Sequence, residues 1–122
     1  MQEVQTASRM LVRFKDKILP IPYTDIALFF LDHELLKLVT FQGKTYFIHR
    51  NLEQLEEQFG AVFFRVNRQF LVSKTAILDL TACGPRTITV NLTFPFPCTI
   101  TVSKEKSGPF LHWLAGPAQR QA

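Results

Sequence analysis

Apolar and polar positions along this chain alternate in short runs broken by turn residues, a spacing that predicts strands over most of its length. Met10-Leu11-Val12-Arg13-Phe14 reads as a strand, Lys15-Asp16-Lys17 turns the chain, and Ile18-Leu19-Pro20-Ile21-Pro22 returns. The two prolines cannot donate to a ladder, so the return strand is expected on an edge or very short. Ile26-Ala27-Leu28-Phe29-Phe30-Leu31 is apolar at every position and reads as a strand buried on both faces, followed by a polar break at Asp32-His33-Glu34. Leu35 to Phe41 and Thr45 to His49 make a further pair around the turn Gln42-Gly43-Lys44.

The period changes at Asn51. Leu52, Leu55 and Phe59 recur at i, i+3 and i+7 with Glu53, Gln54, Glu56, Glu57 and Gln58 between them, the stripe of an amphipathic helix. Asn51 can accept from first-turn amides, Glu53 faces the positive end of the dipole, and Gly60 is the expected stop. Its polar face is acidic, so the helix is read as a packing element facing away from any polyanion. The stretch Ala61 to Val72 alternates poorly. Thr75 to Leu80 is another strand, Cys83 to Arg86 a loop, and Thr87–Leu92 with Cys98–Val102 a hairpin joined through Phe94-Pro95-Phe96-Pro97. Ser107 to Leu114 is a short amphipathic helix closed by Gly116-Pro117. The pattern is that of one mostly β (α+β) domain of antiparallel sheets with an acidic helix and a short C-terminal helix.

Composition adds boundaries. The 122 residues, 47% apolar and 20% charged, suffice for one globular domain with a real core. Residues 1–8 are read as a polar leader or linker, 9–115 as the domain and 116–122 as a tail. The leader lacks the apolar run of a signal peptide, and the six-residue run Ile26–Leu31 is far short of the ~20 residues of a membrane span, so a cytoplasmic protein without membrane contact is expected. Cys83 and Cys98 could face each other across a hairpin; a cytosolic pair would stay reduced, and both are read as small packing residues. Of the twelve phenylalanines, Phe14, Phe29, Phe47, Phe59, Phe63 and Phe70 are the core candidates, while Phe94 and Phe96 suit either an exposed partner patch or half-buried packing.

Charge divides the chain. Residues 1–60 carry seven Lys/Arg against eight Asp/Glu, whereas residues 61–122 carry seven against Asp79 and Glu105 alone. A basic half favours a polyanionic partner. Phosphate-binding glycine loops, HExxH, GxSxG and paired-cysteine zinc spacings do not occur, and His33, His49 and His112 lie on different elements, so no enzyme, cofactor or metal is expected. A helix-turn-helix needs a basic second helix that is not here. Single-strand binding would want aromatics interleaved with basic residues on an open face, whereas these alternate with apolar neighbours. Duplex DNA would therefore be met by loops and strand ends.

The run Phe63-Phe64-Arg65-Val66-Asn67-Arg68-Gln69-Phe70-Leu71-Val72-Ser73 is similar to the characteristic stretch of the LytTR-type DNA-binding domain of bacterial response regulators of the LytR and AlgR kind. Leu19-Pro20-Ile21-Pro22-Tyr23-Thr24-Asp25-Ile26-Ala27 resembles that family's first strand leading into its "DI" strand. Leu52 to Gln58 resembles the helix before the motif, and Thr101-Val102-Ser103-Lys104 the final strand and "SR" corner. The resemblance spans about residues 9–115. It implies a largely β fold that places loop side chains in successive major grooves, on duplex DNA with paired direct-repeat half-sites. It also implies a receiver domain or a second copy as further partners.

Carried over by position, the resemblance puts Asn67 and Arg68 at the base-reading loop with Gln69 beside them. Lys104 takes a second basic reading position, where the family usually has arginine, and His33 a third loop. Arg68 has the planar fork that matches guanine O6 and N7, and Asn67 or Gln69 can bridge adenine N6 and N7. Arg65, Lys37, Lys74 and Lys106 are the expected phosphate contacts. Other readings stay open: Arg65 could pair with a helix carboxylate such as Glu56, Asn67 could cap a turn, His33 could be a turn residue, and Lys37 and Lys74 solvated strand-edge charges. A protein-interaction module of the same fold that has lost DNA binding is the alternative function.

Overall fold

The computed structural model describes residues 9–85 and 87–116; the leader, Arg86 and residues 117–122 of the tail lie outside the described residues. In chain order come β1 (Arg9–Phe14), β2 (Lys17–Pro22), β3 (Ile26–Asp32), β4 (Leu35–Thr40), β5 (Thr45–Ile48) and helix α1 (Leu52–Phe59). Then follow β6 (Phe63–Arg65), β7 (Phe70–Ser73), β8 (Ile77–Ala82), β9 (Ile88–Leu92), β10 (Ile100–Val102) and helix α2 (Ser107–Ala115). Short 3-10 turns precede β3, β8 and α2. The poorly alternating stretch after α1 is a hairpin, β6 and β7 flanking the loop Val66 to Gln69, which is why no single period describes it.

Every ladder is antiparallel, in three sheets: β1-β2, β10-β9-β8, and a five-stranded sheet ordered β5-β4-β3-β7-β6. The five-stranded sheet is buried on both faces. On one side Phe29, Leu36, Leu38, Phe63 and Leu71 pack against Met10, Val12 and Ile21 of the first hairpin and Leu52 and Leu55 of α1. On the other, Leu28, Val39, Phe70 and Val72 meet Val90, Ile100 and Val102 of the three-stranded sheet and Phe110 of α2. Strand β3 feeds both cores, as an unbroken apolar run must. A register shift between Ile26 and Leu28 lets the neighbours Ala27 and Leu28 share one face. β2, the strand with two prolines, lies in the two-stranded sheet, away from any central position.

Helix α1 opens on a capping box. Asn51 Oδ1 accepts from the Gln54 amide at 2.8 Å, and the Asn51 amide donates to Gln54 Oε1 at 3.2 Å. Gly60 ends it as expected, at φ −60° in the right-handed helical region.

Three core expectations need correction. Phe47 is exposed, because Tyr46 and Ile48 take the inward positions of edge strand β5 and alternation sends Phe47 outward. Phe14 closes β1 at the hairpin turn and is exposed, its ring edge-on to Tyr46 at 5.4 Å. Cys83 and Cys98 are both exposed free thiols, outside the packing role expected of them. Phe94 and Phe96 resolve to half-buried packing: Phe96 meets Phe30 and Phe70 at 5.6 and 6.1 Å, and Phe94 meets Phe41 at 6.2 Å.

The two faces separate the phenylalanines energetically. Phe29→Ala, at a fully buried site, is expected to lower unfolding free energy by about 3–5 kcal/mol. Phe47→Ala is expected to lower it by less than about 1 kcal/mol. Urea midpoints measure both, and equal losses would show that Phe47 is not an outer-face residue.

Candidate functional site

A sheet covered on both faces leaves only its ends for polar chemistry. At one end three loops meet: the β3–β4 turn with Asp32, His33 and Glu34, the β6–β7 loop Val66 to Gln69, and the corner after β10 with Ser103 and Lys104. They are joined by backbone and side-chain hydrogen bonds. The Leu31 amide donates to the Gln69 carbonyl at 2.8 Å, and the Ser103 amide to the Val66 carbonyl at 2.9 Å. Asn67 Nδ2 donates to the Thr101 carbonyl at 2.7 Å.

Asn67 is the centre of its loop. Its Oδ1 accepts from the amides of Gln69 and Phe70 at 2.7 and 3.0 Å while its Nδ2 holds Thr101. The turn-capping reading is therefore the one this geometry carries, and the amide expected to read adenine has its acceptor oxygen filled by the chain's own backbone.

Arg65, at the end of β6, is similarly engaged. Its Nε donates to the Asn67 carbonyl at 3.3 Å and Nη2 to the Arg68 carbonyl at 2.7 Å. Its Nη1 lies 3.3 Å from Glu53 and 3.7 Å from Glu56 of α1. The pairing with Glu56 is thus present, and the guanidinium expected on phosphate has only 16% of its side chain exposed.

Arg68 and Gln69 are exposed at the loop tip. With His33, Asp32, Leu31, Arg65 and Glu53 they line an open cleft of about 650 Å³. Glu53 in that cleft corrects the expectation that the acidic helix faces wholly away: the first turn of α1 stands beside the loop.

His33 adopts the left-handed conformation at φ 61° that a tight turn requires, and its side chain is 94% exposed. Its Nδ1 lies 2.9 Å from Asp32 Oδ1. A carboxylate only accepts, so Nδ1 donates in this contact and Nε2 is left facing outward. Asp32 also accepts from Lys37 Nζ at 2.7 Å. These two partners, Lys37 first and His33 second, hold the Asp32 carboxyl below the ordinary aspartate range. The sequence showed Asp32 only as part of a polar break; acid, histidine and lysine at i, i+1 and i+5 across a turn were the available signal.

The remaining lysines divide. Lys104 is exposed at the corner, in the 3-10 turn Lys104–Lys106. Lys106 in the same turn lies over the Phe64 ring at 6.0 Å. Lys37 is only 21% exposed, between the Phe30 and Phe47 rings at 5.6 and 5.5 Å. Lys74 is not brought to the loops at all. It follows β7 at the end opposite the β6–β7 loop, roughly 13 Å of strand away, with its Nζ 5.0 Å from the Trp113 ring. Among the described residues no group of three His, Cys, Asp or Glu side chains gathers as a metal site, and no helix is long and apolar enough to cross a membrane.

Comparison with known proteins follows this geometry. A family model described as the LytTr DNA-binding domain matches residues 16–115. A solved structure of a LytTr DNA-binding domain, from a methyl-accepting/DNA response regulator of Bacillus cereus, is similar over 89% of this chain and 97% of that one. Its TM-score is 0.74 at 16% identity, a likeness of fold. No curated protein matches.

Two outcomes are expected at this site. Asn67→Ala leaves the Gln69 and Phe70 amides and the Thr101 carbonyl without partners, so amide exchange at Gln69 and Phe70 should report about 1–3 kcal/mol less local protection; unchanged exchange would remove Asn67 from the loop's support. A carboxyl with a lowered folded pKa contributes stability above its unfolded pKa and loses it as pH falls through the folded value. Lys37→Met should therefore move the Asp32 titration, followed by carboxyl NMR shifts, up toward the ordinary range, shifting that acid-side loss to higher pH.

Proposed function

Because this chain belongs to the LytTr DNA-binding domain family, we propose that it is the sequence-specific, duplex-binding effector domain of a bacterial transcription regulator of the two-component type. Its three tied loops would enter successive major grooves. The observation that carries this reading is the joining of loops from β3–β4, β6–β7 and β10–α2 into one rim on which Arg68, Gln69, His33 and Lys104 stand exposed. Base edges are read by polar side chains on a rigid support; all four are exposed, with Gln69 Nε2 also donating to the Leu31 carbonyl at 3.5 Å and His33 Nδ1 facing Asp32.

Roles follow from chemistry. Arg68 offers two parallel donors to guanine O6 and N7. Gln69 can both donate and accept, as adenine requires. His33 presents its outward Nε2 to a base edge, while Lys104 brings a point charge to guanine or to phosphate. Asn67 supports the loop from within and reads through it. Lys106, beside Lys104, is the phosphate contact best supported by position. Lys37 is committed to Asp32 and two rings, and Lys74 belongs to the far end, where only DNA extending past α2 would reach it. Paired direct-repeat half-sites, each bound by one copy, a receiver domain acting on this one, and a cytoplasmic setting are parts of the same proposal.

The domain is proposed to begin at Arg9. β1 precedes the matched span, yet Met10 and Val12 are core residues that cannot be removed without exposing α1 and β3.

Selection of duplexes from a random pool is the direct test, and an enriched motif in two tandem copies is expected. Arg68→Ala should then lose about 1–3 kcal/mol on the selected site and relax preference at one base pair. Lys106→Ala should weaken all sequences alike and lower the salt slope by about one unit. A pool with no enrichment at moderate salt would favour an interaction module of the same fold.

A further inference from the structure

Arg65 has neither of the simple roles its position in the motif suggests. It does not stand free for a phosphate: its side chain is only 16% exposed, although the α1 carboxylates it meets are exposed, 73% at Glu53 and 41% at Glu56. One planar guanidinium bridges two elements: Nη1 sits against Glu53 and Glu56, while Nε and Nη2 take the carbonyls of Asn67 and Arg68. Those carbonyls belong to consecutive residues at the tip of the reading loop. The loop's next two amides, Gln69 and Phe70, are held by Asn67 Oδ1. The backbone that carries Arg68 is thus held by its donors through Asn67 and by its acceptors through Arg65. The anchor is itself fixed, because Leu52 and Leu55 of α1 are buried in the core on either side of the first carboxylate.

We propose that Arg65 is a positioning residue for DNA recognition: braced on Glu53 and Glu56, it clamps the Asn67 and Arg68 carbonyls and so fixes the direction in which the Arg68 side chain leaves the loop. The proposal rests on the DNA-binding reading given above. A bidentate contact to guanine tolerates little angular error, so a loop loose by about 1 Å forfeits discrimination before it forfeits charge. Lysine cannot replace the fork: an ammonium is a single point and cannot meet two carboxylates and two carbonyls in one plane. The two carboxylates matter twice, orienting the guanidinium and being neutralised by it beside a surface meant for a polyanion.

This role separates from a phosphate contact by salt. A lost phosphate contact lowers the slope of log affinity against log salt by about one unit and weakens all sequences. A lost positioner leaves the slope and lowers the ratio of specific to non-specific affinity. The experiment measures that ratio and slope for the full chain on its selected duplex and on an unrelated duplex. The proteins are wild type, Arg65→Lys, and the double variant Glu53→Gln/Glu56→Gln, with thermal unfolding run alongside to confirm that each is folded. Both variants are expected to lose roughly fivefold or more of the ratio, at most what losing the Arg68 contact removes, with the slope on unrelated DNA unchanged. In the Arg65→Lys background, Arg68→Ala should cost less than it does in wild type. An unaltered ratio in Arg65→Lys, or in the double variant, overturns the clamp. Arg65→Ala adds the opposite control: a slope lower by one unit with the ratio intact would make Arg65 a phosphate contact. If wild type itself shows a ratio of one, the DNA-reading function fails and the clamp falls with it.

Discussion

A five-stranded sheet buried on both faces governs everything else in this molecule. Its middle strand is apolar from Ile26 to Leu31, and a charge within its neighbour β4, Lys37, is paired with the Asp32 carboxylate. Charge is therefore driven to strand ends and turns by the cost of burying it unpaired. Any recognition chemistry has to be built from segments far apart in sequence that emerge at the same edge. The three loops that carry Arg68, His33 and Lys104 are such segments, and the core decides that they are neighbours.

Much of this was legible because the relevant signals are local. The run Ile26–Leu31 announced a doubly covered strand, the Leu52, Leu55 and Phe59 stripe announced α1, and Asn51 announced its cap. Other features were out of reach because they depend on a partner elsewhere. Phe47 and Tyr46 are equally apolar neighbours, and only the placement of β5 at the sheet's edge tells which turns outward. The stretch from Ala61 to Val72 resisted a single period because a loop lies inside it. Cys83 and Cys98 look like packing residues by type, and nothing in their sequence neighbours shows that the three-stranded sheet leaves them exposed.

At the site the division is sharper. Residue types and resemblance pointed to loops that the fold brings together, but could not sort side chains committed to the loop from those left exposed. Asn67 and Arg68 are adjacent, and both have hydrogen-bonding groups suited to a base. In the folded chain Asn67 commits its acceptor to two backbone amides and its donor to Thr101, while Arg68 gives a backbone carbonyl to Arg65 and its side chain has no hydrogen-bond partner among the described residues. The Glu53 and Glu56 pairing with Arg65 shows the same effect from the other side: an acidic helix that looked like pure packing is structurally continuous with the loop.

The bond from Asn67 to the Thr101 carbonyl crosses 34 positions of the chain. As a matter of synthesis, this makes the rim a late product. A ribosome that has delivered β1 through β7 has made every strand of the central sheet, but the loop's side-chain donor still has no carbonyl to hold and Val66 still awaits Ser103. The Leu31–Gln69 joint can form by then, but the surface closes only when β10 folds back, so nearly the whole chain must be present before the rim is complete. A fragment stopping short of that strand would keep the contacts of Arg65 and Asn67 within the loop but lose the Thr101 and Ser103 bonds that tie the loop to the third corner.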